Sequence, residues 1–280
     1  MSPALLALLP LAAGRCFDAR VGPAPRSPLE TQLRWEVENL MNRVYDWRLS
    51  GYVIGSAEDE VVKAAQKRVA QNESLQAHTY GEVTPIGVRQ MAEALGLRQL
   101  GPEVSFVDLG AGVGKMVLQL YLEFPRVTRA LGVELHPVRA KRGKEAFSQM
   151  KALKDLQGLR RDGLLSALLP RCAEAPLAAS QLKIGAANAH VEEADMLEVD
   201  LGDATHVFLA SLTWGVTLTK LLCQRLLEAP RLVSVAALSR LELPGFREED
   251  THRFQTSWTA RSVDGSRLFL YFRENISGPP

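Results

Sequence analysis

The stretch Phe106-Val107-Asp108-Leu109-Gly110-Ala111-Gly112-Val113-Gly114 constrains the fold more than any other part of this chain. Ser105 to Leu109 reads as a short buried strand, and Lys115 to Phe124 reads as a helix. Glycines at alternate positions between them let the backbone approach a ligand closely, where side chains would stand in the way. The helix start adds oriented amides. Arg129 to Leu135 is then a second strand, with the acid Glu134 near its end. A strand, a glycine turn, a helix and another strand make a βαβ unit, which requires a parallel sheet.

The same alternation continues. A helix is expected from Pro137 to about Leu159, strands at Ala189–Ala194, Thr205–Ser211 and Leu232–Leu238, and a helix at Thr217–Leu227. Phe254–Ser262, Asp264-Gly265 and Arg267–Phe272 read as an antiparallel hairpin with a two-residue turn. The fold class expected is therefore α/β: a doubly wound, mostly parallel, seven-stranded Rossmann-like sheet of the methyltransferase outline, ending in an antiparallel hairpin. Ahead of it, Leu29, Leu33, Val37, Leu40, Met41 and Val44 recur at helical spacing, and Ala57 to Gln71 reads as a second, polar helix. Thr84-Pro85 starts another helix, since Thr caps free amides and Pro suits the first helical position. The organisation expected is a leader at 1–28, an N-terminal helical extension at 29–76, the main domain at 77–275 and a tail at 276–280. Arg160 to Gly185 reads as an insertion.

Two nucleotide ligands compete for the glycine turn. A dinucleotide prefers G-x-G-x-x-G, with its pyrophosphate against the helix end. Here the spacing is G-x-G-x-G, with Asp108 two residues ahead of Gly110. S-adenosylmethionine (SAM) has no phosphate and carries an ammonium, so it gives Asp108 a partner and is favoured. Gly110, Gly112 and Gly114 form the cradle, and Glu134 is placed to accept the ribose hydroxyls. Asp195 and Met196, after the third strand, are candidates for the adenine amino group and ring face.

Charge and cysteine content narrow the function classes. Lys plus Arg is 33 and Asp plus Glu is 32, a net charge of +1, so strong nucleic-acid binding by bulk charge is not expected. Cys16, Cys172 and Cys223 are too scattered for a zinc site or a disulfide framework. No metal site is expected, because His136 has no second ligand at metal spacing. No apolar run reaches the roughly 18 residues of a membrane span. Ala4 to Ala13 is apolar and Arg15 to Pro28 is poor in acids, so residues 1–28 fit a targeting leader or a disordered one.

The motifs together resemble the disruptor-of-telomeric-silencing class of non-SET histone H3 lysine methyltransferases. Its D-L-G-S-G-V-G motif is matched by Asp108 to Gly114, the following Val-Leu-Gln by Val117-Leu118-Gln119, and its G-V-E by Gly132-Val133-Glu134. Its Y-G-E turn is matched by Tyr80-Gly81-Glu82, and its S-W-T segment by Ser257-Trp258-Thr259. The resemblance implies the class I methyltransferase fold, SAM as cofactor held also by Tyr80 and Glu82, a lysine of nucleosomal histone H3 as target, and a nuclear location. A cleaved leader would instead imply an organelle or the secretory route. Where the family has N-N-F-A-F-G, this chain has Ala210-Ser211-Leu212-Thr213-Trp214-Gly215, so Ser211 stands at the position of the Asn beside the reacting methyl. Ser211, Trp214 and Trp258 are the candidate catalytic residues, the two indoles as walls of a lysine channel. A methyltransferase for another protein or a small molecule, and a SAM-binding module without turnover, are the other functions this sequence allows.

Overall fold

Parallel strands flanked by helices build a seven-stranded sheet whose strands, numbered in chain order, lie in the order β3-β2-β1-β4-β5-β7-β6, with only β7 running antiparallel to the others. The computed structural model describes residues 18–45, 81–152 and 188–274. The strands are β1 Val104–Leu109, β2 Val127–Glu134, β3 Ala189–Glu193, β4 His206–Leu209, β5 Ser234–Ala237, β6 Phe246–Phe254 and β7 Ser266–Arg273. Five helices are named among the described residues: α1 Pro28–Val44, α2 Pro85–Ala94, α3 Lys115–Glu123, α4 Pro137–Ala152 and α5 Val216–Glu228. The helix expected at Ala57–Gln71 and the insertion at Arg160–Gly185 lie outside the described residues.

β1 is central, paired in parallel with β2 on one side and β4 on the other. Buried on both faces, it reads as a nearly continuous apolar run. Phe106 faces one core cluster with α1, α2, α3 and α4 side chains, while Val107 and Leu109 face the other with α5. The order reverses between β2 and β4, so the carboxyl end of β1 is the switch point where α/β sheets take ligands.

The terminal hairpin differs from the sequence expectation. Its first strand is Phe246–Phe254, and the residues expected to be strand, 255–262, form a connection with a 3-10 turn at Ser257–Thr259. Thr256 and Thr259 make a reciprocal capping box there, which turns the chain instead of extending it. The connection is therefore much longer than a two-residue turn, although Gly265 keeps the positive φ of 62° that a turn asks for.

α1 is part of the main core. Ser27 caps it by accepting the Glu30 N–H, and Leu33, Val37, Leu40 and Val44 are buried in the same cluster as β1 and α3. Full burial of such side chains is worth roughly 1.5–3 kcal/mol each before entropy. The polar side of this packing is ionic. Arg89 of α2 donates to both oxygens of Glu123 at 2.6 and 3.0 Å and to Glu38 of α1 at 2.6 Å. Arg34 of α1 lies 3.5 Å from the same Glu123 carboxylate.

Candidate cofactor site

Three glycines in the left-handed region shape the turn after β1: Gly110, Gly112 and Gly114 have φ of 88°, 59° and 78°. The turn is tied to β2, because the N–H groups of Gly110 and Ala111 both donate to the Val133 carbonyl, at 2.9 and 3.0 Å. The three glycines are not equivalent. A Cβ on Gly114 would sit 2.4 Å from Val191 Cγ2 and 3.0 Å from Phe147 Cε2, so Gly114 lets α3 pack against β3 and α4. A Cβ on Gly110 would meet only the Trp214 ring, at 3.4 Å. Gly110 thus forms an open face of the turn, with Trp214 beside it.

Two carboxylates lie under this turn. Glu134 Oε2 accepts the Gly112 N–H at 2.7 Å and Oε1 accepts the His136 N–H at 2.8 Å. The two bonds fix its orientation and leave each oxygen with further acceptor capacity. Asp108 is 3 % exposed, lies in register between Gly132 and Phe208, and its Oδ1 has no hydrogen-bond partner. Burial, and then the Glu134 charge, push its carboxyl well above the usual range. A buried carboxylate without donors is costly, and a cationic ligand group relieves that cost. The fit to SAM follows from this charge pattern: an ammonium is welcome at Asp108 and ribose hydroxyls at Glu134, whereas a pyrophosphate would meet two acids.

Gly81-Glu82 and Ser257-Trp258 meet at the start of α2. The Glu82 N–H donates to Ser257 Oγ at 3.0 Å, over a separation of 175 residues. The Ser257 N–H donates back to the Glu82 carbonyl at 2.8 Å. Gly81 lies flat under the Trp258 indole, where a Cβ would fall 2.2 Å from ring carbon Cζ3. The start of α2 holds this junction in place: Val83 bridges Thr256, Thr84 Oγ1 donates to Gln255 Oε1 at 2.7 Å, and the Gln255 N–H donates to Gln90 Oε1 at 2.7 Å. The Glu82 carboxylate reaches Lys115 Nζ at 2.7 Å, which links this junction to the first residue after the glycine turn. Tyr80 lies outside the described residues.

Asp195 and Met196 follow β3. Asp195 Oδ1 accepts the Leu197 N–H at 2.9 Å, which closes a small turn, and Met196 packs on the second core cluster. Arg225 of α5 fixes this turn by donating to the carbonyls of Leu197 and Val199. Sequence reasoning missed both Lys115 and Arg225. Lys115 carries a signal, since a cation in the first turn of a helix opposes the helix dipole. Arg225 carries none.

The candidate catalytic residues separate. Trp214 stands beside Gly110, and Trp258, 48 % exposed, covers Gly81. Ser211 is buried and turned toward the end of β5: its Oγ accepts the Ser239 N–H at 3.0 Å and the Ser239 hydroxyl at 2.7 Å. The hydroxyl that stands for the family Asn is thus committed to the scaffold.

Residues 59–164 match the family model described as histone methylation protein DOT1. No curated protein matches the sequence. Among solved structures, the chain is similar to magnesium protoporphyrin IX methyltransferase from Synechocystis PCC 6803 with bound SAM, at 11 % identity and a TM-score of 0.37, over 90 % of this chain and 100 % of that one. It is also similar to the rRNA methyltransferase aviRa from Streptomyces viridochromogenes, at 15 % identity and a TM-score of 0.43, over 72 % of this chain and 90 % of that one. Among the described residues no helix is long and apolar enough to cross a membrane. The chain has the fold of a SAM-dependent methyltransferase, and its residues 59–164 carry the match to the DOT1 histone methylation family.

Proposed function

We propose that this chain is a protein-lysine N-methyltransferase that uses SAM and acts on a lysine of histone H3 in nucleosomes, in the nucleus. The observation that carries the reading is the junction of Gly81-Glu82 with Ser257-Trp258 beside the glycine turn, two segments of the DOT1 resemblance brought together by the fold. The family match of residues 59–164 supports the same target class.

Bound SAM supplies an electrophilic methyl group on a sulfonium. The chain's own residues do the rest. Asp108 and Glu134 would hold the cofactor's polar ends, with Glu82 at the mouth and Asp195 and Met196 at the adenine end; Tyr80 is a further cofactor residue by the family resemblance alone. Trp214 and Trp258 wall the approach of the lysine. An aromatic wall disfavours the charged ammonium of an entering lysine, so the amine arrives as the neutral nucleophile. Alignment of the reacting atoms and exclusion of water then account for the rate. Ser211 fixes Ser239 at the end of β5.

The commitment of Ser211 to Ser239 also favours a second reading, a methyltransferase whose acceptor is another protein or a small molecule. Transfer of labelled methyl from SAM to reconstituted nucleosomes, beside free histones and cell lysate, decides between them. Label on histone H3, lost in Asp108→Ala, is the expected result. Label only on another lysate component would overturn the histone target and keep the enzyme.

A further inference from the structure

α1 ends in Tyr45, whose N–H caps the helix by donating to the Met41 carbonyl at 2.8 Å. From there its hydroxyl donates to the Val113 carbonyl at 3.0 Å, a separation of 68 residues. Val113 lies between Gly112 and Gly114, is 1 % exposed, and its carbonyl faces the α4 backbone at Gly143. A carbonyl enclosed in this way needs a donor, and the Tyr45 phenol is the one provided. Burial, and then the Glu82 charge, hold that phenol well above its usual range, so it stays a donor. The same ring lies 5.7 Å from Lys115 Nζ, the cation that closes on Glu82.

The rest of α1 fixes where Tyr45 stands. Leu33, Val37, Leu40 and Val44 bury the helix in the core shared with α3. Arg34 reaches Glu123, the last residue of α3, while Tyr45 reaches the turn that begins α3. α1 therefore grips α3 at both ends. A first-turn lysine is misplaced against the helix dipole. The Tyr45 ring face and the Glu82 carboxylate offset that cost, and so tie the glycine turn to the junction under Trp258.

We propose that Tyr45 is a positioning residue of the SAM site, which sets the Val113 carbonyl of the glycine turn and seats Lys115 for its closure on Glu82. The N-terminal helix is then a working part of the cofactor site. This inference rests on the SAM reading of that site.

The test is SAM titration by calorimetry on the full chain, with thermal unfolding alongside, for the parent, Tyr45→Phe and Val127→Ala. Tyr45→Phe removes one hydroxyl and keeps the ring. Its loss of one net hydrogen bond is expected to weaken SAM binding about five-fold and to lower the melting temperature by about 2–4 °C. Val127→Ala opens the core at the amino end of β2, away from α1 and the glycine turn, so it should lower the melting temperature at least as much and leave SAM affinity unchanged. A Tyr45→Phe chain that binds SAM as the parent does would overturn the inference while leaving the cofactor reading intact. So would a Val127→Ala chain that loses SAM affinity to the same extent. A parent chain that binds no SAM would overturn both.

Discussion

Replacing Gly114 and Gly110 separately with alanine distinguishes a packing glycine from one that faces the cofactor. Both have positive φ, 78° and 88°, so each alanine incurs about 1–2 kcal/mol of left-handed strain. That cost is common to the pair and cancels in the comparison. The new methyl at Gly114 would lie 2.4 Å from Val191 and 3.0 Å from Phe147, both in the core, whereas at Gly110 its nearest neighbour is Trp214 at ordinary contact, 3.4 Å. Overpacking of this kind costs roughly 1–3 kcal/mol, and each kcal/mol moves the melting temperature of a domain this size by about 2–4 °C. Gly114→Ala should therefore melt roughly 2–12 °C below Gly110→Ala. SAM affinity should order the other way: Gly110→Ala places a methyl on the open face of the turn and loses affinity, while folded Gly114→Ala retains it. Differential scanning fluorimetry with and without SAM reads both quantities. Equal melting temperatures, or a ligand-dependent shift that survives in Gly110→Ala and vanishes in Gly114→Ala, would refute this division of roles.

Glu123→Gln removes the acid facing both Arg89 and Arg34 and leaves their guanidinium groups buried without it, so a loss of about 3–5 kcal/mol is expected in urea unfolding. His206 is held neutral by burial and by Arg126, its pKa lowered from the ordinary 6.5 to about 4. The unfolded chain binds the extra proton first, so stability falls as pH drops from 6.5 toward 4, by up to about 3 kcal/mol, and His206→Gln should flatten that slope. Asp108 has the opposite sign: its raised carboxyl makes the folded chain bind the proton more tightly, so its contribution to stability declines as pH rises above 3.8. Asp108→Asn should hence stabilise the ligand-free chain at neutral pH while abolishing SAM binding. Ser211→Ala strips the Ser239 N–H and hydroxyl of their acceptor, a cost of about 1–3 kcal/mol in thermal unfolding. If its kcat on folded protein fell by orders of magnitude with no loss of stability, the bracing role would be wrong.

The sheet is legible in the sequence where both faces of a strand are buried. β1, β4 and β5 are short apolar runs, and the spacing of the glycine turn and Glu134 is enough to mark the switch point. β6 is not legible, and the reason is physical. It is the edge strand, and Phe246-Arg247-Glu248-Glu249-Asp250 carries charge in place of alternation, as edges do. Its register also slips between Glu249 and His252, which breaks the period of two. Thr256-Ser257-Trp258-Thr259 looks more like a strand because Trp and Thr favour strands, yet its two threonines cap a turn. At the site, the acids and glycines are readable from spacing. The inward turn of Ser211 is not, because nothing in Ala210-Ser211-Leu212 says which neighbour a hydroxyl will choose.

The contacts that spacing does not reveal share a property: they join distant segments around the cofactor site through side chains of which only Lys115 carries a local signal. Tyr45 reaches Val113 from α1, Lys115 reaches Glu82, and Arg225 holds the carbonyls beyond Asp195 from α5. Each takes up a group that the turn geometry alone leaves without a partner or with an unfavourable charge. A glycine turn has little conformational preference of its own, because glycine's freedom is the reason it can pass so close to a ligand. The ordering energy must therefore come from outside the turn. Here it comes from three sides: β2 through the Val133 carbonyl, α1 through Tyr45, and the Trp258 junction through Glu82 and Lys115. A site preorganised in this way lowers the entropy that cofactor binding must otherwise supply. It also makes SAM affinity sensitive to residues far from the glycine motif in sequence, which accounts for a cofactor site whose core is readable in Asp108–Gly114 and whose supports are not.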